Sequence, residues 1–78
     1  MQVILESTTK IVELKTKEGA VMHARIWEGA TESGIPVHAY ITRIAVDEGQ
    51  DTSQFDRELK EHAAPSAAVL AIPLRLII

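Results

Sequence analysis

The sequence predicts a small α+β fold with strands and one helix in the order β-β-β-α-β, and three observations carry that prediction. Ala20 to Val46 reads as two alternating strands about a polar, glycine-bounded centre. Asp51 to His62 carries one narrow apolar stripe at helical spacing, and Ala67 to Ile78 alternates large apolar side chains. The expected architecture is a single domain over residues 1–78, an antiparallel sheet with one helix packed on one of its faces.

The central hairpin sets the two faces. Side chains alternate along a strand, so Ala20–Glu28 divides into Met22, Ala24 and Ile26 on one side and Val21, His23, Arg25 and Trp27 on the other. Pro36–Val46 divides into Val37, Ala39, Ile41, Arg43 and Ala45 against His38, Tyr40, Thr42, Ile44 and Val46. A loop from Glu28 to Gly34, symmetric about Glu32 and Ser33, sets Trp27 opposite His38, Arg25 opposite Tyr40 and Ala24 opposite Ile41. One face is then small and apolar. The other collects Trp27, Tyr40, Arg25, His38 and His23, with Ile11, Val21, Ile44 and Val46.

The preceding segment gives the same faces independently. Lys10–Thr16 is β-rich, and Lys17-Glu18-Gly19 is a turn in which glycine takes a positive φ at little cost. Folding back there sets Leu14 beside Met22, Val12 beside Ala24 and Glu13 beside His23. Glu6–Thr9 is polar and reads as a bulge or bend, with Gln2–Leu5 either beginning this strand or forming its own.

The helix is expected over Thr52–His62, with Asp51, Thr52 or Ser53 as cap and Pro65 beyond its end. Phe55, Leu59 and Ala63 make its stripe, suited to the apolar sheet face. Asp56 with Lys60 and Arg57 with Glu61 stand at ion-pair spacing. In the last segment Leu70, Ile72, Leu74, Leu76 and Ile78 share one side of a strand. Pro73 cannot donate to a ladder, so that strand is an edge or is broken there.

Composition narrows the function classes. Eight Lys and Arg against eleven Asp and Glu leave a net charge of −3, without the basic cluster that phosphate-backbone binding requires. Nucleic acid is therefore the weakest of the partner classes. Cysteine is absent, which removes disulfide and thiol chemistry and fits a reducing compartment. The first residues lack the pattern of a secretory signal, and the apolar tail is too short to span a bilayer. These features predict a cytoplasmic protein with no membrane partner, of prokaryotic or phage type.

Catalytic and cofactor patterns are missing. His23, His38 and His62 lack zinc-site spacing, and Asp47–Asp51 lacks the ligand pattern of a calcium loop. Gly29–Gly34 lacks the Lys-Ser/Thr ending of a phosphate loop, and Ser33 with His38 has no triad geometry. No metal, cofactor or catalytic residue is expected. The best candidate binding group is Trp27, Tyr40, Arg25 and His38, with His23 beside them, because aromatic and arginine side chains dominate binding hot spots.

The expected function is a non-enzymatic binding or assembly module, a homo-oligomer joined through the aromatic-bearing face and the apolar C-terminal strand, with another protein as a further partner. Two alternatives stand beside it. One is a small-molecule-binding protein or small oligomeric enzyme with its site near the 28–36 loop. The other is a nucleic-acid-binding sheet protein, with bases stacking on the aromatics.

Overall fold

The computed structural model describes residues Met1–Ile78 throughout. In chain order its elements are β1 (Val3–Lys15), β2 (Val21–Thr31), β3 (Pro36–Ile41), α1 (Thr52–Leu59), α2 (Ala67–Leu70) and β4 (Arg75–Ile77). The four strands form one sheet in the order β3-β2-β1-β4.

Two turns of identical construction build the β1-β2-β3 meander. In Thr16-Lys17-Glu18-Gly19-Ala20 the Thr16 N–H donates to Ala20 O (2.8 Å), the Gly19 N–H to Thr16 O (3.0 Å), and the Ala20 N–H to Thr16 Oγ1 (3.1 Å). In Thr31-Glu32-Ser33-Gly34-Ile35 the equivalent bonds are 3.0, 2.9 and 3.1 Å. Gly19 and Gly34 take φ of 93° and 88°, as a three-residue hairpin loop with a left-handed last residue requires.

The second turn corrects the expected register. A three-residue loop centres the hairpin on Ser33, not between Glu32 and Ser33, so Trp27 lies opposite Ala39, Arg25 opposite Ile41 and Glu28 opposite His38. A slip of one residue exchanges the faces of the whole strand. His38 and Tyr40 therefore share a face with Ala24 and Ile26, while Val37, Ala39 and Ile41 share one with Arg25 and Trp27. The connection is also shorter than expected, because β2 continues through Thr31. β3 stops at Ile41, so Ile44 and Val46 do not belong to a sheet face.

The β1–β2 register matches the expectation, with Val12 opposite Ala24, Glu13 opposite His23 and Leu14 opposite Met22. Gln2 lies outside β1, whose first residue is Val3, so Val3–Leu5 begins the same strand. A bulge separates Ser7 from Ile11 and sets two extra residues of β1 against β2, which keeps each face in phase. Its freed polar groups find partners. Thr8 Oγ1 donates to Ile26 O (2.7 Å), the Thr9 N–H to Ala63 O (3.2 Å), and Ser7 O accepts from the Ala63 N–H (2.8 Å). Above the bulge Gly29 faces Leu5 so closely that a Cβ on it would stand 1.7 Å from Ile4 O.

The sheet is mixed, where an antiparallel one was expected. β4 runs parallel to β1, pairing Glu13 with Arg75 and Lys15 with Ile77. The chain between β3 and β4 is long enough for the crossover that a parallel partner needs. Part of it, Ala67–Leu70, forms the short helix α2 where a strand was expected; Ser66 Oγ caps it by accepting the Val69 N–H (3.3 Å). Pro73 falls just before β4, which is an edge strand as expected.

The core lies on the face of Val12, Leu14, Ala24 and Ile26, and α2 covers it with Val69, flanked by Ile72 and Leu76. α1 does not pack there. Its Phe55 and Leu59 line a cleft with Arg25, Trp27 and Ile41 on the opposite face, a consequence of the reversed β3. Asp51 caps α1 by accepting the Ser53 and Gln54 N–H groups, and the helix closes at Leu59, short of the expected His62. The expected Asp56–Lys60 and Arg57–Glu61 pairs do not form; instead Arg57 donates to Gln54 Oε1 and Gln54 to Glu58 Oε1. No helix is long and apolar enough to cross a membrane.

Candidate functional site

The register distributes the five expected site residues over three places. Arg25 and Trp27 stand side by side on the α1-covered face and line its cleft. The bulge positions Arg25, whose Nη1 donates to Thr8 O at 2.8 Å. His38 and Tyr40 lie on the other face, in edge-to-face contact with centroids 5.3 Å apart and His38 Nε2 3.1 Å from the Tyr40 hydroxyl. His23 belongs to neither group. Its Nε2 lies 3.9 Å from Glu13, whose carboxylate is also 3.7 Å from Arg75 Nε. That triad follows from the strand order, since Glu13 is the register partner of both residues.

Beside His38 and Tyr40 the structure assembles a polar group that sequence reasoning missed. Glu28, the register partner of His38, accepts the Ser66 N–H (2.8 Å) and the Ser66 hydroxyl (2.5 Å). The Ser66 hydroxyl and N–H hold the Glu28 carboxyl below the ordinary glutamate range, with a smaller contribution from the charge of His38. Pro65-Ser66 ahead of an apolar run was a legible helix-start signal. Its partnership with a glutamate 38 residues away was not.

The hydroxyls of Ser7 and Ser66 are both already committed. Ser7 Oγ donates to Glu61 O at 2.8 Å while facing His62 Nδ1 at 3.2 Å, so its proton points away from the imidazole. Ser66 Oγ donates to Glu28 and accepts from Val69. An activated nucleophile needs a base able to take its proton; Ser7 points its proton away from the imidazole, and Ser66 points its own at a carboxylate whose lowered pKa makes it a weak base. No three His, Asp or Glu side chains converge as metal ligands.

Two concavities remain. The α1 cleft is about 160 Å³ and combines apolar walls with Arg25 and Arg43. The other, about 250 Å³, lies at the hairpin tip against Met1, Gln2 and the Thr31–Ile35 turn, near the 28–36 region expected to hold a site. Its walls include Glu32 and no Lys, Arg or His side chain. Comparison with known protein families, with curated proteins and with solved structures found no match.

Proposed function

We propose that this chain is a non-enzymatic binding and assembly module that works as a homo-oligomer, with β4 and its apolar flanks joined to a second copy. The observation that carries the reading is surface area. The chain exposes 6060 Å², whereas a folded monomer of 8.6 kDa exposes about 4,700 Å². The excess, about 1,400 Å², is above the roughly 800 Å² that one partner contributes to a standard interface and falls in the range of an obligate homodimer. The Cα radius of gyration of 14.0 Å likewise exceeds the roughly 11.5 Å of a compact chain this long.

The location follows from chemistry at the sheet edge. β4 pairs on one side only, leaving a row of backbone donors and acceptors open. Leu70, Leu74, Ile77 and Ile78 are all exposed in and around it, Ile77 at 78% and Leu74 at 66%. Only five apolar side chains are buried within the chain itself, so burial against a second copy supplies core that the single chain lacks. A strand edge of this kind is self-complementary about a two-fold axis.

Sedimentation velocity over a micromolar concentration series tests the reading. The expected result is a dimer or higher oligomer that Ile77→Lys converts to a monomer with an unchanged circular dichroism spectrum. A monodisperse wild-type monomer would remove the proposal.

A further inference from the structure

We infer that the cleft under α1 is a binding site for a small aromatic carboxylate, a ligand of one ring with one negative charge. This goes beyond self-association and rests on different residues. In a chain with excess acid, the cleft presents two arginines and no acidic side chain in its walls. Arg25 is held by its single bond to Thr8 O, which leaves other guanidinium N–H groups free to donate. Arg43, on the irregular segment after β3, is exposed and has no ion-pair partner. Paired guanidinium donors match the planar fork of a carboxylate.

The rest of the cleft fixes what the charge must be attached to. Trp27 and Phe55 are two of the three aromatic residues in the chain, and both line it, with Ile41, Ile44 and Leu59 completing the apolar walls. Its volume of about 160 Å³ is close to the roughly 150 Å³ of an apolar cavity that holds benzene. One ring therefore fits between the apolar walls. The covering helix is itself incompletely packed, since α1 contributes no fully buried residue. A ring between Phe55 and Trp27 would complete that layer, with its carboxylate toward Arg25 and Arg43 at the mouth.

The test is an ¹⁵N NMR titration with sodium benzoate at constant ionic strength, using benzyl alcohol and inorganic phosphate as comparison probes. Trp27 is the only tryptophan, so its indole N–H gives one unambiguous signal in the cleft. The expected result is a saturable shift of that signal and of the Ile41–Ile44 amides with benzoate. Benzyl alcohol, which has the ring without the charge, should bind roughly tenfold more weakly, and Arg43→Gln should weaken benzoate by a similar factor. Arg43 is surface-exposed, so that variant keeps the wild-type spectrum elsewhere. The inference is overturned if benzoate gives no saturable shift, if benzyl alcohol binds as tightly, if phosphate reproduces the response, or if Arg43→Gln leaves the affinity unchanged.

Discussion

α1 has eight residues, an aspartate cap and a clean apolar stripe, yet none of its residues is buried. α2 has four residues and delivers Val69, 2% exposed, into the centre of the core. The difference shows that local quality of a helix and its contribution to the fold are separate quantities. α2 is held at both ends by long-range partners: Ser66 is bonded to Glu28 of β2, and Ile72 beyond its end packs against the buried cluster. α1 is held by its own cap and by two side chains resting over a cleft. The centre of one face is therefore buried and close-packed, and the other face is layered but open.

Three experiments sharpen that contrast, beginning with the largest effect. Ile26→Ala empties the buried centre of the core face and should cost about 2–5 kcal/mol in urea unfolding, whereas Phe55→Ala on the open face should cost only about 1 kcal/mol. Equal losses would mean that α1 is as firmly packed as α2. Thr8→Val removes the buried hydroxyl that closes the bulge onto Ile26 O. It should cost about 1–3 kcal/mol and accelerate amide exchange in the bulge while sparing α1.

Ser66→Ala gives the smallest loss, about 1 kcal/mol from the missing cap, and it also changes the pH dependence. Glu28 titrates lower in the folded chain than in the unfolded one. Its contribution is therefore fully present above the ordinary glutamate value of about 4.3 and is lost as pH falls through the lower folded value. Thermal melts between pH 7 and pH 3 should show this acid-side loss in wild type and a reduced one in Ser66→Ala. An identical slope would mean that Glu28 does not anchor α2.

The contrast between the faces also shows how far the sequence could be read. Thr16-x-x-Gly19 and Thr31-x-x-Gly34 are the same turn. Treated as a three-residue loop, the first gave the correct β1–β2 register; treated as a longer loop with an even centre, the second gave a register one residue out. The repeated Thr-x-x-Gly was the available signal. Because strand period is two, that single residue moved His38 and Tyr40 away from Trp27 and Arg25, and moved α1 to the opposite face. Arg25 and Trp27 stayed together because they belong to one strand.

Local physics determined the elements: alternation marked β1, β2 and the start of β3, Asp51 marked the start of α1, and Pro73 marked the break before β4. The sequence also pointed to a last strand that is an edge or is broken at Pro73, and Arg75–Ile77 beyond that proline is the edge strand. Only the tertiary structure decided that β4 runs parallel to β1, that Ala67–Leu70 is helical, that Ser66 meets Glu28, and that Arg25 and Arg43 open onto one cleft. Turn chemistry and capping act over a few neighbouring residues and leave a readable pattern. The path of a long crossover is chosen by which apolar side chains it can bury against a sheet already formed, and that choice depends on contacts between residues far apart in the chain.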